Sequence, residues 1–84
     1  MIRWDQGKSE RLKRCRGVSF EEIVQAEFIG ALRHAKRAHQ DLLLFRHLDY
    51  IWVVPCVMRG REIFLKTLFP SRKYTKLHAK GELP

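Results

Sequence analysis

The sequence predicts an α+β domain, and three local signals carry that prediction. Ser19 and Glu22 form a capping-box pattern ahead of apolar residues at helical spacing. Apolar runs rich in β-branched and aromatic residues follow, separated by tight-turn signals. Pro70-Ser71 then breaks the last extended run ahead of a basic, helix-compatible segment. The expected architecture is a small antiparallel sheet of three to five strands with two N-terminal helices and one C-terminal helix. All 84 residues are read as one domain, because chains divide into units of roughly 100 to 150 residues.

Taken in order, Ile2–Trp4 fits a short first strand. Asp5 can cap a helix reaching about Cys15, with Leu12 and Cys15 inward and Lys8, Arg11, Lys13 and Arg14 outward. Gly17 suits the left-handed residue that ends it. Val18 and Ile23 supply a hydrophobic staple across the Ser19–Glu22 box, and Phe20, Ile23, Val24 and Phe28 repeat at helical spacing. A second helix is therefore expected from Phe20 to about Ile29, stopped by Gly30.

The segment Ala31 to His39 fits either an edge strand with a basic loop or a helical extension. Leu42–His47 and Tyr50–Met58 read as strands joined by a turn at Leu48-Asp49, and Arg59-Gly60 turns into a third strand, Arg61–Phe69. Pro55 lacks a ladder donor, which predicts a bulge or an edge at that point. Alternation puts Ile63, Leu65, Thr67 and Phe69 in the core and Glu62, Phe64, Lys66 and Leu68 on the open side. Ser71 caps a final helix from Arg72 to about Ala79.

Charge narrows the class of partner. Seventeen Lys and Arg face nine Asp and Glu, a net +8. The segment from Arg59 to Lys80 holds seven basic residues and one acidic residue, a balance of +6. Such an excess favours polyanions but does not by itself separate nucleic acid from an acidic protein or a membrane surface. Two cysteines are too few for a disulfide framework and point to a reducing compartment. No signal-peptide pattern opens the chain, and the longest apolar run, Tyr50–Met58, is too short to span a bilayer as a helix. The expectation is a cytoplasmic protein without a membrane partner.

Three motifs in order carry a resemblance. Trp4-Asp5-Gln6-Gly7-Lys8 resembles the W-D-x-x-K opening of the BrnT-type toxins, a branch of the RelE-like ribonuclease toxins of bacterial toxin–antitoxin pairs. Gly17-Val18-Ser19-Phe20-Glu21-Glu22 resembles that family's G-V-S-F-E-E signature, and Ser71-Arg72-Lys73 resembles its S-A-R-K segment. The chain departs from the pattern at Arg16, where the family has histidine, and at Phe69-Pro70-Ser71, where it reads Ile-Ser-Ala. The resemblance implies a RelE-like fold, an endoribonuclease that halts translation, and a cognate antitoxin that silences it and through which the toxin can oligomerise.

Metal-free RNA cleavage needs a group to take the 2′-OH proton, a group to protonate the leaving 5′-oxygen, and positive charge on the phosphorane-like transition state. Arg72 matches the family motif, and its planar fork suits phosphate oxygens. Lys66 and Lys73 are candidate phosphate clamps or proton-transfer groups, and His47 and His78 are the imidazoles suited to acid–base work. His47 also reads, more plainly, as an incidental strand residue. Arg59, Arg61, Tyr74, Lys76 and Phe64 are the expected RNA contacts, with Phe64 offering a ring for stacking. No C-x-x-C or closely spaced histidine pair suggests zinc, and neither a phosphate loop nor a dinucleotide fingerprint occurs. No cofactor is expected. The alternative in a different class is a non-catalytic RNA-, DNA- or partner-binding domain that uses the same cations as a clamp.

Overall fold

The computed structural model describes residues 1–83. The elements are β1 (Ile2–Arg3), α1 (Gln6–Arg16), α2 (Phe20–Ile23), β2 (Glu27–Arg33), β3 (Gln40–His47), β4 (Tyr50–Arg59), β5 (Glu62–Leu65), β6 (Phe69–Pro70) and α3 (Arg72–Ala79). Six strands form one sheet in the order β1-β5-β4-β3-β2, with β6 pairing β4 beside β5. The sheet is mixed rather than wholly antiparallel, because β1 runs parallel to β5.

Local chemistry explains the N-terminal helices. Asp5 accepts the Lys8 amide at 2.9 Å and starts α1; Gly17, at φ 80°, ends it. Ser19 and Glu22 satisfy both halves of the capping box. Yet α2 is a single turn, not a helix to Ile29. Phe28 and Ile29 belong to β2, where Phe28 pairs Phe45 and the register shifts between Phe28 and Gly30. Gly30 thus lies within a strand instead of stopping a helix. Apolar spacing compatible with helix lost to pairing with β3, a tertiary contact that outweighs local propensity. Cys15 is exposed rather than inward. The residue that faces the core with Leu12 is Ser9, whose hydroxyl accepts the Phe20 amide at 2.9 Å and donates to the Glu21 carboxylate.

The sheet buries both faces unequally. Trp52, Val54 and Cys56 of β4 pack with Phe45, Leu65 and the helical residues Leu12, Phe20 and Ile23. Ile51 and Val53 point the other way and join Leu44, Phe69 and Tyr74 of α3. The β3–β4 hairpin turns at Leu48 and Asp49, both at positive φ (54° and 63°), the mirror-image turn geometry that two-residue hairpins favour. Leucine there carries backbone strain, since residues with a Cβ disfavour the left-handed region.

Pro55 causes neither a bulge nor an edge in β4. Its pairing with Leu42 of β3 is in register, and its carbonyl accepts the Lys66 amide at 2.8 Å on the opposite side. The missing N–H therefore faces the segment that links β5 to β6. That segment leaves the ladder: Leu65 pairs Cys56 and Phe69 pairs Val53, so four steps on one strand match three on the other. One extra residue inverts the alternation. Leu68 is consequently buried with the helix-side core instead of exposed, and Phe69 packs on the α3 face rather than beside Leu65. The expected unbroken strand Arg61–Phe69 is in fact two short strands around this break.

The joint between α1 and α2 carries a pH dependence. The Lys13 ammonium, then the Ser19 amide, hold the Glu22 carboxyl down to about 2 from an ordinary 4.5. Hydrogen bonds from Ser9, then Gln6, lower Glu21 in the same direction. A carboxylate with a depressed folded pKa contributes stability that is present above its unfolded value and lost as pH falls through the folded one. Both side chains are solvated, so the effect is modest. Thermal melts are expected to show a decline from about pH 4.5 towards about pH 2, and Glu22→Gln is expected to flatten part of it. Parallel declines in the two proteins would contradict this account.

Candidate nucleic-acid interface

The α3-bearing face of the sheet is only partly covered. Helix α3 takes off after β6, where the Ser71 amide donates to the Ile51 carbonyl at 2.9 Å and the Thr75 hydroxyl accepts the Ile51 amide at 2.9 Å. It therefore lies over Ile51 and Val53. Farther along β4, Val57 pairs Phe64 of β5, and Phe64 pairs Arg3 of β1. Paired residues share a face, so Arg3, Phe64 and Val57 form an uncovered row. Arg59 and Lys66 border it, around a groove of about 480 Å³.

This groove combines cations with one exposed ring. Phe64 is 40% exposed despite its size. The Lys66 ammonium stands 5.4 Å from the ring centroid, within cation–π range. The sole acid lining the groove is Glu62, which Arg3 engages at 3.1 Å. Among the described residues, Arg59 and Lys66 make no ion pair, whereas Lys13 and Arg46 are already matched to acids. Unmatched cations beside an aromatic ring can hold phosphate oxygens while the ring stacks on a base.

The sequence-predicted residues separate into three groups. Arg59, Phe64 and Lys66 meet in the groove. Arg72, Lys73, Tyr74 and Lys76 lie on α3, whose N-cap Ser71 is level with Ile51. That is six β4 residues from Val57, about 20 Å along the strand. Arg72, Lys73 and Lys76 are exposed, and the Lys73 ammonium sits 5.5 Å from the Tyr74 ring. His47 stands apart. It lies on the helix-side face, edge-on to Trp52 with ring centroids 6.4 Å apart, because strand alternation sends it opposite to Arg46. His78 is half-buried near Arg46 and Asp49, in the last turn of α3. Arg61 is in the β4–β5 turn, where its carbonyl accepts the N-terminal amine of Met1 at 2.7 Å.

Two contributors were missed in the sequence. Arg3 joins the groove through a parallel pairing with a strand near the other end of the chain, and no local pattern reveals such a partner. Arg16 donates to the Leu68 carbonyl at 2.9 Å and so ties the end of α1 to the β5–β6 break. The one legible hint was its position just before Gly17-Val18-Ser19-Phe20, where it departs from the pattern the chain resembles. Among the described residues no three His, Cys, Asp or Glu side chains converge as metal ligands would, and no helix is long and apolar enough to cross a membrane.

Compared with known proteins, the chain matches no family model, no curated protein and no solved structure.

Arg16→Ala should lower stability by about 1 kcal/mol, the usual net scale for one intramolecular hydrogen bond. Amide hydrogen exchange at Lys66, Thr67 and Leu68 should speed up, and Arg16→Lys should restore part of the protection. Unchanged exchange in the alanine variant would show that the buried Leu68 side chain alone holds the segment.

Proposed function

We propose that this chain is a RelE-like, BrnT-type endoribonuclease toxin that cleaves RNA without a metal and is silenced by a cognate antitoxin. The motifs Trp4-Asp5-x-x-Lys8, Gly17–Glu22 and Ser71-Arg72-Lys73 support the family reading. The observation that carries the RNA reading is the uncovered sheet face, where unpaired Arg59 and Lys66 flank the exposed Phe64 ring.

In this reading the 2′-oxygen attacks the adjacent phosphorus, the 5′-oxygen leaves, and a 2′,3′-cyclic phosphate remains on the upstream fragment. Arg72 and Lys73 neutralise charge on the phosphorane-like transition state, where positive groups aimed at developing charge contribute most. Arg59 and Lys66 hold flanking phosphates and Phe64 stacks on a base. Arg61, Tyr74 and Lys76 extend the contacts along the strand. The antitoxin would cover the same face, drawn by Phe64 and the free cations, and a toxin dimer could form through it.

The second reading is a non-catalytic RNA-binding domain, and one specific observation favours it. His47 faces away from Lys66 and the start of α3, and His78 lies in the last turn of α3 beside Arg46, so neither predicted imidazole lines the groove of Arg59 and Lys66. Proton transfer would then fall to Lys66, Lys73 or Tyr74.

Incubating the partner-free protein with a long single-stranded RNA in chelator separates the two readings. The expected result is fragments ending in cyclic phosphate, with cleavage reduced at least about a hundredfold by Arg72→Ala. His47→Ala should cut at close to the wild-type rate. Bound but intact RNA, both free and on ribosomes, would sink the enzyme reading and leave the binding domain.

A further inference from the structure

We propose that the open face continues past Arg59 into a second basic hollow at the β2–β3 loop, and that the two form one track for a stacked single-stranded RNA. This extension rests on the reading of the open face as an RNA surface, and it adds Arg33, Arg37 and His39 to the residues that hold the strand.

The continuity is built into the register of the sheet. Arg3 pairs Phe64, Phe64 pairs Val57, and Val57 pairs Gln40, a single row across β1, β5, β4 and β3. Val57 and Arg59 line both hollows, one of about 480 Å³ and the other of about 800 Å³. The second hollow wraps the end of the sheet. Arg37, His39 and Gln40 line it beside Val57, while Arg33 and Asp41, paired with each other and level with Cys56, reach it from the helix-side face. Asp41 is its one acid. Among the described residues Arg33, Arg37 and Arg59 make no ion pair.

The loop that presents Arg37 is held in shape. The Nδ1 atom of His34 accepts the amides of Lys36 and Arg37 at 3.1 and 3.2 Å. The His34 amide donates to the Gln40 carbonyl at 3.0 Å, and the Gln40 amide donates to the Arg37 carbonyl at 3.1 Å. Backbone fixed in this way lowers the entropy cost of using Arg37 as a contact.

Dimensions identify the ligand class. Four strand spacings separate β1 from β2, about 19 Å in all. With stacked phosphates roughly 3.4 Å apart along one strand, the track accommodates on the order of five nucleotides. A floor of Val57 and Phe64 between separated cations fits a polymer with regular charge and planar rings better than an acidic polypeptide.

The test uses fluorescein-labelled 2′-O-methyl oligouridylates, a trimer and a nonamer, which cannot be cleaved through the 2′-oxygen. Binding is followed by fluorescence anisotropy between about 50 and 200 mM salt. The proteins are the wild type and an Arg33→Gln/Arg37→Gln double variant whose fold is checked by circular dichroism. Both arginines are exposed, so the variant should fold. The wild type should bind the nonamer more tightly than the trimer. The double variant should lose about tenfold on the nonamer and nothing on the trimer, with a salt slope shallower by roughly 1.4. Equal nonamer affinity and slope in the two proteins would overturn the track. Binding of a polyglutamate peptide in place of the nonamer would overturn it in favour of an acidic partner. Failure of RNA cleavage with nonamer binding intact removes the enzyme reading alone, while loss of all oligonucleotide binding removes both.

Discussion

Pro55 has no backbone N–H, and it stands in the middle of β4, the strand on which every layer of the molecule rests. On the β3 side this costs nothing, because its backbone polar groups point the other way. On the other side, each neighbouring residue of β4 with the same orientation finds a partner. Ile51 is satisfied by Thr75 and Ser71, Val53 lies opposite Phe69, and Val57 opposite Phe64. Only opposite Pro55 does the adjacent chain leave the ladder. The break there leaves no stranded donor, which is what a buried strand requires.

The consequences of that break reach the surface. One extra residue in the linking segment inverts the alternation, so Leu68 seals the helix-side core while Phe69 turns to the α3 side. Helix α3 then starts on β6 and covers only the Ile51–Val53 part of its face. The Phe64–Val57 part stays open with Arg3, Arg59 and Lys66 around it. Arg16 secures the departure point by donating to the Leu68 carbonyl. Where the family pattern has histidine, this chain has a longer donor that spans from α1 to the break. The departure at Arg16 therefore has a structural role of its own.

Much of this was legible in the residues. Asp5, Ser19 and Ser71 mark the helix starts, and the spacing around Leu48-Asp49 and Gly60 marks the hairpins. Simple alternation along β5 placed Phe64 and Lys66 on one face with Arg59 nearby. What failed depended on pairing between distant segments. Phe28 repeats at helical spacing from Phe20, yet it packs edge-on to Phe45 at 5.5 Å between ring centroids in a strand pair. The parallel β1–β5 contact brings Arg3 to the groove from the start of the chain. Pro55 was visible as an irregularity, but its effect fell on the neighbouring strand. His47 carried the right chemistry for an acid–base role, and strand parity put it on the reverse face.

The central claim is that the open β1-β5-β4 face, and not the equally basic outer side of α1, meets RNA. Titrating the ¹⁵N-labelled protein with a single-stranded DNA oligonucleotide, which lacks the 2′-OH and stays intact, tests it directly by amide chemical shifts. The largest changes should fall on Arg3, Val57, Arg59, Phe64 and Lys66. Changes centred on Arg11, Arg14 and their neighbours in α1, with the Phe64 row unmoved, would contradict the account.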